Sequence, residues 1–91
     1  MAWQLVFTEQ CNRRAARFLR LHPDASVQYA KTLKLLQGNP HQPSLRLHAL
    51  KGKLSGLHGV SINLSYRITL EMLITASEIV PINVGDHDEV Y

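Results

Sequence analysis

The sequence predicts an α+β domain in which a helical hairpin packs on one face of a twisted antiparallel sheet. Three observations predict it. Residues 9–37 carry two stretches of helical periodicity, broken only at His22-Pro23. Beyond Asn39-Pro40 the apolar residues switch to a two-residue alternation separated by glycine- and serine-bearing turns. A short alternating segment precedes the helices, so the order is β-α-α followed by consecutive strands. Helices and strands segregated in this way mean α+β.

Residues 2–8 read as the first strand, with Trp3, Leu5 and Phe7 on one face. Thr8 is the expected N-cap of helix one, and Glu9 suits its first turn. The helix runs to about Leu21 with Cys11, Ala15, Phe18 and Leu19 as its core stripe, leaving Arg13, Arg14, Arg17 and Arg20 mostly elsewhere. His22-Pro23 ends it, because the residue before proline is pushed out of the helical region. Asp24 is the expected cap of helix two, from Ala25 to about Gln37, whose buried side draws on Val27, Ala30, Leu33 and Leu36 or Leu35. Gly38-Asn39-Pro40 stops that helix.

Leu45–Leu50 alternates as a strand, Lys51–Gly56 is a basic loop expected to be mobile, and Leu57–Leu64 is the next strand. Gly59 within it permits a bulge or a close backbone approach. Tyr66 to about Met72 follows. A turn near Thr75-Ala76-Ser77 leads into the last strand, 79–84. Pro81 has no N–H for a ladder, so it belongs at an edge or a bulge.

A chain of 91 residues with 45% hydrophobic residues makes one folded domain, spanning 1–91. No apolar run approaches the roughly 20 residues of a membrane span. The opening segment lacks the basic leader of a signal peptide. The one cysteine, Cys11, excludes an internal disulfide and a zinc site built on cysteine pairs. A cytoplasmic protein with no membrane partner is the expectation.

The net charge of +3 hides an asymmetry. Residues 1–53 hold nine of the ten Lys/Arg against Glu9 and Asp24, a local net of +7. Residues 54–91 hold Arg67 against five acids, a local net of −4. The basic part suits phosphate backbones or an acidic protein partner; a solvated helix face explains it as well.

The chemistry-bearing residues gather in three places. The apolar run Ile79–Val84 delivers Gly85-Asp86-His87-Asp88-Glu89-Val90-Tyr91 just past a strand end, where scaffolds commonly mount chemistry. Lys51-Gly52-Lys53 lies in a loop, and Arg67 lies inside a strand. Histidine, arginine, lysine and an aromatic ring on a basic scaffold point to RNA.

These segments carry a family resemblance. Leu47-His48-Ala49-Leu50-Lys51-Gly52-Lys53-Leu54-Ser55-Gly56, Ser65-Tyr66-Arg67-Ile68 and Val84-Gly85-Asp86-His87-Asp88-Glu89-Val90-Tyr91 are similar to motifs of the RelE/ParE superfamily of toxins from bacterial toxin–antitoxin pairs. The likeness is strongest to the YafQ-like ribosome-dependent mRNA interferases, and it spans nearly the whole chain. It implies a RelE-like β-α-α-β-β-β fold and cleavage of messenger RNA on the ribosome, held in check by a cognate acidic antitoxin. Higher oligomers are expected only with that antitoxin. By position, His87 matches the family's C-terminal catalytic histidine and Tyr91 its terminal aromatic residue. Arg67 matches the arginine of the Tyr-Arg strand, and His48 a histidine before the loop. Two departures stand out: Ser65 replaces the usual aspartate, and Leu57-His58 replaces an aromatic residue. The ParE branch shares the fold but poisons DNA gyrase, so a gyrase-type toxin and an inactive antitoxin-binding member remain alternatives.

Cleavage of RNA without a metal needs a base for the ribose 2′-hydroxyl, an acid for the leaving 5′-oxygen and cations around the phosphorus. Histidine suits the first two and arginine the third. His87 and His48 are thus the candidate acid–base pair and Arg67 the phosphate clamp. Tyr91 would stack on a base or hold a proton-transfer geometry. Lys51, Lys53 and Arg46 would grip neighbouring phosphates, and His58 is an additional candidate. Arg13, Arg14 and Arg17 would meet the antitoxin or ribosomal RNA. Arg67 also suits an ion pair with Glu71 or Asp86, His58 a half-buried packing role, and His22 and His41 surface or capping roles. No cofactor and no metal is expected, because the histidine spacing matches no local ligand motif.

Overall fold

A computed structural model of the chain describes residues 3–86. It contains β1 (Gln4–Leu5), α1 (Glu9–Leu21), α2 (Ser26–Gly38), β2 (His48–Ala49), β3 (His58–Ser61), β4 (Tyr66–Leu73) and β5 (Glu78–Asp86). The strands form one sheet in the order β1-β5-β4-β3-β2. β2, β3, β4 and β5 pair antiparallel in succession, whereas β1 lies parallel to β5, with Leu5 opposite Ile79. The sheet is therefore mixed rather than wholly antiparallel. The helical hairpin between β1 and the rest carries the chain across the sheet before β2 begins, so β1 is free to join at the far edge.

Thr8 caps α1 as its sequence position implies: its hydroxyl accepts the Cys11 N–H at 3.1 Å. Cys11 and Phe18 are buried, and Ala15 and Leu19 pack against the core. The helix ends at His22, whose N–H reaches the Phe18 carbonyl. Helix two departs from expectation. Pro23–Ala25 form a 3-10 turn, α2 begins at Ser26, and no side chain caps it; Asp24 is one residue too early. Val27 is 77% exposed and Ala30 is exposed too. Leu33 and Leu36 turn inward as expected, with Leu35 also against the core, but Tyr29 and Thr32 take the places expected of Val27 and Ala30. Thr32 satisfies its buried hydroxyl on the Gln28 carbonyl at 2.7 Å, a bond that keeps a polar residue tolerable on that face.

The strand expected over Leu45–Leu50 shrinks to His48–Ala49. Pro43–Leu45 form a 3-10 turn, and Arg46 takes a left-handed conformation (φ 52°) that breaks the extended backbone. The basic loop is closed by a Leu50 N–H to Leu57 carbonyl bond and holds a 3-10 turn at Gly52–Leu54; Gly52 and Gly56 supply its positive φ angles. Gly59 sits in regular pairing, opposite His48 and Thr69. The bulge falls in β5: Thr69 faces Asn83 and Leu70 faces Pro81, leaving Ile82 as the extra residue. Pro81 thus lies beside a bulge, where its missing N–H costs no ladder bond.

The core lies between the helices and one sheet face. Leu36, Val60, Leu70 and Ile79 are 0% exposed, and Phe18, Ala25, Leu45, Ile68 and Val84 complete the buried cluster. Apart from Ala25, each such side chain contributes roughly 1.5–3 kcal/mol relative to exposure.

Candidate active site on the outer sheet face

Strand register sorts the candidate residues between the two faces. Successive side chains along a strand alternate, and directly opposed residues share a face. Val60, Ile68 and Val84 lie in one cross-strand row and belong to the core, so their neighbours Ser61, Arg67 and Gly85 form a row on the other face. The next outward row is His48, Gly59, Thr69 and Asn83. His48 and Arg67 therefore share the face away from the helices. Two strand spacings and two residue rises place their Cα atoms on the order of 12 Å apart. Among the described residues, this is where the sheet brings an imidazole and a guanidinium onto one surface.

His48 is exposed, and its Nδ1 lies 2.8 Å from the Arg46 carbonyl. A carbonyl oxygen can only accept, so Nδ1 donates. In the neutral tautomer protonated at Nδ1, Nε2 is the nitrogen that can accept a proton. The left-handed turn at Arg46 is what aims that carbonyl at the ring two residues on. His48 and Lys51 line a surface groove of about 320 Å³ with Ala49, Leu50 and Leu54. Lys51, Lys53 and Arg46 are all exposed. Arg46 also borders a second groove with Ser61 and Asn63.

Arg67 is half-buried, and its Nη1 donates to the Asn63 carbonyl at 2.6 Å and to the Tyr66 carbonyl at 3.1 Å. These bonds lean the guanidinium toward the β3–β4 turn. Among the described residues Arg67 makes no ion pair with Glu71 or Asp86, and its Nε and Nη2 have no protein partner. A guanidinium held by one nitrogen with its outer edge unengaged can receive an anion there.

Tyr66, next to Arg67, points the other way. Its hydroxyl lies 3.0 Å from His22 Nδ1, and its ring meets Phe18 edge-on at 5.0 Å. His22 also contacts Phe18. The Tyr-Arg pair therefore divides its work, tyrosine locking the sheet to α1 and arginine facing outward. His58 shares the face of Val60, is half-buried, and its buried Nδ1 has no hydrogen-bond partner among the described residues. The sheet does not bring it to His48. Thr69, absent from the sequence-based candidates, lies in the His48 row, 2% exposed, with a buried hydroxyl that has no partner among the described residues. Only register identifies it. His87 and Tyr91 lie outside the described residues.

The helix-one arginines separate as well. Arg13 and Arg17 are exposed, while Arg14 is half-buried and donates to the Ile82 carbonyl at 3.0 Å. Arg14 and Arg17 line a groove of about 480 Å³ between α1 and β5. Among the described residues no group of three His, Cys, Asp or Glu side chains is placed to hold a metal. No helix among them is long and apolar enough to cross a membrane.

A strand, two helices and then a run of antiparallel strands, with the first strand returning parallel to the last, define the RelE-like α+β fold. Solved structures of RelE/ParE superfamily toxins share it. YafQ from Escherichia coli superposes with a TM-score of 0.79 at 12% identity, over 98% of each chain. A copper-bound toxin variant from Helicobacter pylori matches over the full length of both chains, with a TM-score of 0.70 and 24% identity. The toxin–antitoxin complex RelBE2 from Mycobacterium tuberculosis matches 96% of this chain and 100% of its own, with a TM-score of 0.70 and 19% identity. No protein-family model and no curated protein matches the chain.

Proposed function

We propose that this protein is the toxin of a type II toxin–antitoxin pair and cleaves messenger RNA on the ribosome by metal-free acid–base chemistry. The observation that carries this reading is the placement of His48 and Arg67 on one sheet face, with the His48 ring oriented through Nδ1 by the Arg46 carbonyl. Nδ1, occupied by a carbonyl, holds the ring orientation while Nε2 takes the proton of the ribose 2′-hydroxyl. Arg67 offers its free outer edge to the phosphorus oxygens as charge builds on them. His87, by its motif, supplies the proton to the leaving 5′-oxygen, and Tyr91 stacks on a base. Lys51, Lys53 and Arg46 hold flanking phosphates, which a mobile message needs for register. The partner is an acidic antitoxin meeting the basic surface of α1, a reading supported by the charge asymmetry and by a relative solved as a toxin–antitoxin complex.

The test is induction of the chain alone in bacteria with transcript 5′ ends mapped by primer extension. New cuts within translated codons, lost in His87→Ala and Arg67→Ala, are expected. Growth arrest with intact transcripts and an induced SOS response would replace this reading with a gyrase-type toxin.

A further inference from the structure

We propose that Asn63 is a positioning residue for Arg67, acting through the β3–β4 turn and anchored by Gln28 of α2; its functional half rests on the nuclease reading above. The turn residue Asn63 makes every contact this role needs. Its side-chain Oδ1 accepts the Ser65 N–H at 2.8 Å and the Tyr66 N–H at 2.9 Å, closing an Asx-type turn on its own backbone. Its Nδ2 donates to Gln28 Oε1 at 2.7 Å, tying the turn to a helix thirty-five residues away. Its carbonyl receives Arg67 Nη1 at 2.6 Å. One residue thus fixes the shape of the turn, its height against the helices, and the acceptor that holds the guanidinium.

The geometry explains why a strand arginine stays on one face in one orientation. An arginine side chain loses rotamer freedom when it is immobilised, and that loss falls on substrate binding unless the apo protein has already taken it. Here two carbonyls on Nη1 orient the fork beforehand, leaving Nε and Nη2 for an anion. The carbonyl of Asn63 stays in place only while its side chain holds the turn. Removing Oδ1 frees two backbone N–H groups; removing the Gln28 link lets the turn lift from α2.

Arginine-detected NMR on the folded protein tests the positioning directly. In the native chain the Arg67 guanidinium is expected to give resolved, slowly rotating N–H signals. Asn63→Ala should average them and lower transcript cleavage about ten- to a hundredfold, the scale of a misplaced catalytic group. Gln28→Ala, at an exposed helix position, should weaken both in the same direction, and Gln28→Glu, which keeps an acceptor for Nδ2, should restore them. Arg67 signals that stay resolved in Asn63→Ala overturn the inference. Native-level cleavage in Asn63→Ala, with cleavage abolished in Arg67→Ala, overturns it too. A native chain that cuts no transcript, while Arg67 is still freed by Asn63→Ala, upholds the positioning and removes the nuclease reading instead.

Discussion

The Arg14 guanidinium donates to the Ile82 carbonyl at 3.0 Å, joining the middle of α1 to the extra residue of the β5 bulge. Among the described residues no strand lies beside the outer edge of β5 beyond Ile79, since β1 pairs with it at Glu78 and Ile79. Ladder parity turns the Val84 N–H toward that edge, and the Asn83 side chain accepts it at 2.9 Å. An arginine and an asparagine thus satisfy backbone groups that would otherwise template a foreign strand.

Arg14→Ala should cost about 1.5–3 kcal/mol, the range for a hydrogen bond to a charged group. Arg13→Ala, at an exposed position on the same helix, should stay within about 0.5 kcal/mol. Urea midpoints of the two variants at equal m-value check the contrast. Equal losses would mean the Ile82 contact contributes nothing.

The Thr8 hydroxyl caps the N-terminus of α1, so Thr8→Ala should lower stability by about 1 kcal/mol. Thr8→Asp should recover most of that, because a carboxylate both accepts the Cys11 N–H and favours the helix N-terminus. Thermal unfolding of the three proteins measures it.

Burial pushes the Tyr29 hydroxyl up from its ordinary value of 10.0 to about 12, with the Cys11 thiol adding to the rise. The folded state then holds this proton more tightly than the unfolded chain. Stability from this residue is fully present below pH 10 and declines as pH rises toward 12. Denaturant titrations across that window should show a slope that flattens in Tyr29→Phe. An identical slope in both proteins would refute the assignment.

Cys11 is 2% exposed, and burial raises its thiol despite the opposing charge of Arg14. Alkylation should therefore be slow in the native protein and rapid in denaturant. Reaction at the free-cysteine rate under native conditions would contradict the burial.

On the outer sheet face, His48→Ala should lower transcript cleavage about a hundredfold or more while leaving the melting temperature nearly unchanged, because the ring is exposed. His58→Ala should do the reverse and move stability more than activity, since His58 faces the core side. Parallel measurements of cleavage and melting separate the two histidines, which look alike in the sequence.

Local chemistry determined what the sequence could show by itself. The order of helices and strands, the Thr8 cap, the stop at His22-Pro23 and the irregularity at Pro81 each follow from residues within a few positions of one another. The Tyr-Arg and histidine segments stood out in the sequence only through their family resemblance. Tertiary structure decided the rest, because it depends on pairing between distant segments. Register placed His48 and Arg67 on one face and turned His58 to the other. The 3-10 turn at Pro23–Ala25 rotated α2 so that Val27 faces water and Thr32 faces the core. Charge counting grouped Arg14 with Arg13 and Arg17; only the packing of α1 beside a strand edge sixty-eight residues away made it a structural arginine. A side chain's type limits its chemistry, but which backbone group it meets is fixed by how the whole chain closes on itself.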